Sequence, residues 1–260
     1  MGRRLYAEAR RDLKAALDAA EAGRVSGVQR AEILNRLGRV ETQLGRLRPA
    51  IFYYERALGL LAPADRAPDL FNIAPVYREL GEAREAERYA REALTVASED
   101  ARILRLLGSV LIQQGRYREA EGVAQRALGT GDAAITAMVW TDFAIIEEAR
   151  RRYGAAAELL QRAVDGMEAE HARARVLSNL SVQEQRLRRY QEAVVHARQA
   201  VGEMEAHAGP QHPDMCKALE RYAEALRHSG RSDEARMAAQ KARQLQSLLG
   251  ATVDWRSSKW

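Results

Sequence analysis

The 260-residue chain carries one cysteine, six prolines, three phenylalanines and four lysines. A lone Cys216 cannot form an internal disulfide, which suits a reducing compartment and a cytoplasmic location. Aromatic residues, at 6%, supply little of what β-rich folds favour, and 18 glycines are too few for a low-complexity chain. No run approaches the ~20 apolar residues a membrane-spanning helix needs. The start, Met1-Gly2-Arg3-Arg4-Leu5-Tyr6, is charged where a secretory signal wants an apolar stretch, and Tyr6 stands where myristoylation wants Ser or Thr. No GxGxxG, Walker A, HExxH or GxSxG element is present, so neither an enzyme nor a cofactor is expected. Net charge is only +5, from 41 basic and 36 acidic side chains spread along the chain, so nucleic acid is not an expected partner.

What the chain does have is repetition. Two alanines seven residues apart recur as Ala9/Ala16, Ala50/Ala57, Ala86/Ala93, Ala120/Ala127, Ala156/Ala163, Ala193/Ala200 and Ala235/Ala242. Seven residues are about two helical turns, so each pair shares one face of one helix and lets a neighbour approach closely. Upstream of every pair except the first lies an apolar i, i+3 stripe: Leu34/Leu37, Leu70/Ile73, Leu104/Leu107, Trp140/Phe143, Leu177/Leu180 and Leu219/Tyr222. A small residue follows each stripe (Gly38, Ala74, Gly108, Ala144, Ser181, Ala223). The unit is therefore two amphipathic helices, A then B, packed through small side chains. Gly45, Gly81, Gly115 and Gly230 sit where the end of helix A needs a left-handed residue, whereas the fourth and fifth units offer Arg151 and Arg188 there. Pro63 stops the first complete pair, while Pro75 falls inside helix A of the second, removing a donor and crowding the Phe71 carbonyl.

Leu34-x2-Leu37-Gly38 with Ala50-x3-Tyr54, Ala57 and Pro63, and Leu70-x2-Ile73-Ala74-x2-Tyr77 with Ala86 and Ala93, resemble the tetratricopeptide repeat. Trp140-x2-Phe143-Ala144 with Tyr153, Ala156 and Ala163 supplies its aromatic form. The longer later units and the lead-in Gly209-Pro210-Gln211-His212-Pro213-Asp214 look like the kinesin-light-chain variant. The resemblance implies an all-α, right-handed α-solenoid. A superhelical domain would span 1–250, with a half-repeat at 4–22 (Tyr6, Ala9, Leu13 and Ala16 packed as a helix B) and six repeats from about 31 to 250. A tail, 251–260, would follow.

It also implies a function: non-catalytic binding of a peptide or protein segment along a concave groove lined by the A helices. The alternative is a peptide-responsive regulatory receptor that changes superhelix shape. Opposite the packing stripe, the groove positions bring Asn35, Arg39, Asn72, Arg102 and Arg105 into three adjacent repeats, similar to the carboxylate clamp of chaperone-cofactor members, with Asp142, Asn179 and Arg221 extending the site. An amide side chain both donates and accepts, as a peptide backbone requires, and arginine binds a carboxylate through two parallel bonds. The expected ligand is therefore acidic or ends in a free carboxylate. His207, His212, Asp214 and Cys216 form the sole cluster with metal-ligand residues; with no second cysteine it reads as a helix lead-in, and no metal is expected. Trp255 in the tail reads as a cap over the last helix pair, the other reading being insertion into its own or another copy's groove, a route to self-association.

Overall fold

The computed structural model describes residues 2–23, 25–168, 170–210 and 212–249. Among them it places thirteen α-helices, one 3₁₀ turn and no strand, so the fold is all-α. Gln211 and the whole tail 251–260, with the capping and self-association expected of it, lie outside the described residues. Chain contacts divide into two compact units, Met1–Gly131 and Asp132–Trp260.

The first unit holds α1 (Gly2–Ala22), α2 (Gly27–Gln43), α3 (Leu47–Leu58), α4 (Ala67–Glu79), α5 (Ala83–Val96), α6 (Ala101–Gln113) and α7 (Tyr117–Leu128), with the 3₁₀ turn at Pro63–Asp65. The second holds α8 (Ala133–Ala149), α9 (Tyr153–Asp165), α10 (His171–Arg186), α11 (Tyr190–His207), α12 (Pro213–His228) and α13 (Ser232–Leu249). Even-numbered helices are A and the odd-numbered ones from α3 onward are B. Each A packs on its own B. Within the first unit α3 also packs on α4 and α5 on α6; within the second, α9 packs on α10 and α11 on α12. Each unit is thus an α-solenoid stack, in which neighbouring pairs bury the faces that one pair alone cannot.

Local chemistry sets the ends. Ser26 and Gln29 form a reciprocal capping box at α2, and Asp100 and Asp132 cap α6 and α8. Gly45, Gly81, Gly115 and Gly230 adopt φ of 74°, 79°, 75° and 82°, and Arg151 and Arg188 adopt the same conformation at 61° and 60°. For an L-residue that conformation is costly, so these two turns are held by their surroundings rather than by preference.

Six alanine pairs line the A–B interfaces, from 0% exposure at Ala50/Ala57 to 3% at Ala235/Ala242. A Cβ on Gly38 would lie 2.6 Å from Cε1 of the buried Tyr54 ring, so the large residue in α3 dictates glycine in α2. The leading pair departs from the pattern: Ala16 is exposed and Ala9 half-buried, while Leu17, with Leu13 beside it, joins Leu34 and Leu37 of α2 in one core cluster and Ala20 is buried. The alanine face of a helix B looks toward its own helix A, and among the described residues α1 has none. Trp140, half-buried, packs with buried Ala144 against Ala156, Leu160 and Ala163 of α9, Phe143 is half-buried, and α8 also buries Val139 and Ile146. Across α3, α4 and α5, Glu55 accepts hydrogen bonds from the Tyr77 and Tyr89 hydroxyls at 3.1 and 2.8 Å, and the two rings stack 5.3 Å apart. Burial, reinforced by Glu55, pushes both phenols above the usual tyrosine range.

Candidate functional site

In the first unit the A helices α2, α4 and α6 lie side by side, α2 meeting α4 and α4 meeting α6. Their stripes point at the B helices, so the positions between stripes are left for the opposite face. There Asn72 Nδ2 donates to Asn35 Oδ1 at 3.2 Å, and Arg78 donates to the Ser109 hydroxyl at 2.7 Å. Neither asparagine makes another hydrogen bond among the described residues, so the pair keeps the two N–H bonds of Asn35, the second N–H of Asn72 and the Asn72 carbonyl oxygen. Arg39 is exposed in α2. Arg102 grips Asp100 through two bonds, at 2.7 and 3.2 Å, and its guanidinium stands 5.8 Å from the Phe71 ring centre. That grip holds the Asp100 carboxyl below the usual carboxylate range. Arg105 is half-buried in the same helix.

In the second unit Arg221 of α12 donates to Asn179 Oδ1 at 2.6 Å and to Ser178 Oγ at 3.2 Å, both on α10. The Asn179 carbonyl is therefore spent on a neighbouring repeat. Asp142 is buried, at 6% exposure. Gln183 and Arg186 of α10 reach Glu148 of α8 at 2.9 and 3.0 Å.

The structure thus brings Asn35 to Asn72 and Asn179 to Arg221, gives Arg102 an internal carboxylate, and records no contact from Arg39 to the others. Sequence reasoning missed the pairing of groove residues across repeats. The separations, 37 residues for Asn35–Asn72 and 42 for Asn179–Arg221, follow the repeat length and were the available signal. Of the cluster His207, His212, Asp214 and Cys216, the structure keeps His212 beside Asp214. Cys216 sits in the core against Met204, Met215 and Leu219, and burial pushes its thiol up. His171, which the sequence gave no reason to include, joins His212 and Asp214 instead.

Among the described residues no helix is long and apolar enough to cross a membrane. Paired helices stacked through small residues, with polar side chains bridging successive A helices, define a helical-repeat scaffold. Tetratricopeptide repeat profiles match residues 31–60, 71–135 and 173–214, together more than half the chain. The chain belongs to the tetratricopeptide repeat family, a scaffold for protein–protein interaction that is typically non-catalytic. A search of curated proteins returns no relative.

Among solved structures it is similar to PilW, a widely conserved type IV pilus biogenesis factor, at 16% identity and TM-score 0.65, over 87% of this chain and 97% of that one. It is similar to a Rap protein complexed with Competence and Sporulation Factor at 14% identity and TM-score 0.62, over 91% and 80%. The APC/C hetero-tetramer Cut9–Hcn1 matches at 16% identity and TM-score 0.64, over 85% of this chain but 39% of that one, so the chain spans about two fifths of that relative's length. These likenesses establish the fold.

Proposed function

We propose that this chain is a cytoplasmic, non-catalytic scaffold that holds a peptide or protein segment along the concave face of its A helices, and that the first unit carries the primary site. The observation behind this reading is the Asn35–Asn72 pair, which keeps N–H donors and a carbonyl acceptor between neighbouring repeats, as an extended backbone requires. Arg39 on α2 and Arg102 and Arg105 on α6 add positive charge to the same set of A helices, favouring a segment that is acidic or ends in a carboxylate. Arg102 is oriented in advance by Asp100, and a ligand carboxylate would compete with that internal partner. In the second unit, Asn179 and Arg221 form a pre-formed pair on that unit's own A helices and would give it a further contact point, and Asp142 of α8 is buried.

The test uses random peptides displayed with free C-termini and selected on the full chain. Asn72→Ala/Arg105→Ala is expected to weaken the selected peptides at least about tenfold, the scale of losing hydrogen bonds to a charged partner. Phe52→Ala, on the exposed face of α3, should leave their affinity unchanged. Selected peptides indifferent to the double substitution would refute the site.

Likeness to the Rap protein complexed with Competence and Sporulation Factor favours a second reading, a receptor that changes superhelix shape when its peptide binds. Solution scattering with a selected peptide separates the two: compaction supports the receptor, and an unchanged radius of gyration supports the passive scaffold.

A further inference from the structure

His171 opens α10, His212 is the residue on which α12 begins, and Asp214 is the second residue of α12. Forty-one residues of chain separate the two histidines, yet their rings meet edge to face, with centres 4.6 Å apart. His171 Nε2 is 3.0 Å from Asp214 Oδ2, and His212 Nδ1 is 3.9 Å from the same oxygen. One ligand atom from each residue can be chosen so that all three lie within 4.8 Å of one another. Metal–nitrogen and metal–oxygen bonds near 2 Å require donor atoms roughly 3–4 Å apart, so a single ion fits among them after small side-chain adjustments. The side chains are neither sealed nor loose, at 34%, 34% and 17% exposure.

We propose that His171, His212 and Asp214 form a site for a divalent transition-metal ion that clips the start of α10 to the start of α12. The donor set chooses the metal. Two imidazoles and one carboxylate suit Zn²⁺, Co²⁺ or Ni²⁺, whereas Ca²⁺ and Mg²⁺ demand oxygen cages. Three protein ligands leave a coordination position for water, and the partial exposure gives it access.

Two features restrain the affinity. His212 Nδ1 now accepts the Asp214 backbone N–H at 3.2 Å, a long cap that the ion displaces. Arg175 and Lys217 bring positive charge to the same end of these helices. The site is therefore a reversible clip, not a permanent structural centre. Its position gives it a consequence: α11 lies between α10 and α12 in the chain, so an occupied site ties α10 to α12 directly. The clip stands independently of the groove reading, because none of its residues belongs to that face.

The experiment titrates ZnCl₂ into the full chain by calorimetry and CoCl₂ by visible absorption. The wild type should take up one equivalent of either metal, show the Co²⁺ d–d bands of a low-coordinate site, and melt at a higher temperature with Zn²⁺. His171→Ala should weaken binding at least about tenfold, no less than the loss of an outer-shell partner costs, and abolish the thermal shift. Asp214→Glu, which keeps the carboxylate, should retain part of the affinity and shift the Co²⁺ spectrum. His207→Ala, outside the cluster, should change nothing. No uptake by the wild type, or uptake that survives His171→Ala undiminished, would overturn the assignment; circular dichroism of His171→Ala confirms that the fold is intact.

Discussion

Gly38 and Gly108 hold the same position in repeats one and three, yet alanine should have opposite effects at the two. At Gly38 a Cβ lies 2.6 Å from Tyr54 Cε1 and 2.8 Å from Cδ1 and Cζ. Carbon atoms in contact prefer 3.5–4.0 Å, so the ring must retreat by about 1 Å. Tyr54 has 2% exposure and packs beneath Gly38, leaving little room for that retreat. Overpacking of this kind costs about 1–3 kcal/mol, and the ~1 kcal/mol that alanine gains over glycine in a helix offsets only part of it. At Gly108 the nearest atom to a Cβ is the Ala120 carbonyl oxygen at 3.9 Å, ordinary contact, so alanine keeps the full helical gain. Gly38→Ala is expected to destabilise and Gly108→Ala to stabilise, the two differing by the overpacking cost of about 1–3 kcal/mol. Repeat arrays need not unfold in one step. Native-state hydrogen exchange in α2–α3 and α6–α7 therefore measures each effect where it arises. Equal protection changes in the two variants would refute the Tyr54 argument.

Asp69, at 5% exposure and with no hydrogen-bond partner for Oδ1 among the described residues, is pushed by burial from 3.8 to about 6. A carboxyl raised in the folded state favours folding while protonated. Its contribution is therefore complete below pH 4 and lost as pH climbs through 6, by about 3 kcal/mol. Asp69→Asn should stabilise the first unit at pH 7 and flatten that fall, and an NMR titration placing the Asp69 carboxyl near 4 would contradict it. Arg151→Gly and Arg188→Gly relieve left-handed backbone at about 1–2 kcal/mol but add the flexibility of glycine, for a net gain of about 0.5–1 kcal/mol each. A rise in melting temperature checks this, and a fall would show that the arginine side chains anchor their turns. Pro75→Ala should stabilise α4 by about 1–3 kcal/mol. If the crowded Phe71 carbonyl accepts from a ligand, the same substitution weakens selected peptides; unchanged affinity removes that role.

Helix pairing, turn positions and most of the core were legible in the sequence because they depend on local periodicity and on side-chain size. Gly38 opposite Tyr54 and the left-handed turn glycines follow from steric rules that operate within one repeat. Misreadings fall where the partner lies elsewhere. Ala9/Ala16 carries a packing signature, yet among the described residues α1 buries Leu17 and Ala20 instead, and α8 buries Val139 and Ile146 beyond the face that Trp140 and Ala144 mark. The candidate site residues could be named from the sequence, but not their pairing. Asn35, Asn72, Asn179 and Arg221 were found as groove positions, but which of them meet depends on the offset between stacked repeats. His171 joins His212 and Asp214 through the stacking of α10 on α12, for which a sequence without a ligand motif gives no local sign.

The most direct test of peptide capture is site-specific photo-crosslinking with a selected peptide. Benzoylphenylalanine replaces either Arg36, exposed in α2 beside Asn35, or Phe52, 56% exposed on α3. Capture along the A helices predicts covalent adducts from position 36 and none from position 52. Adducts from position 52 alone would place the ligand on the B helices and contradict the proposed groove.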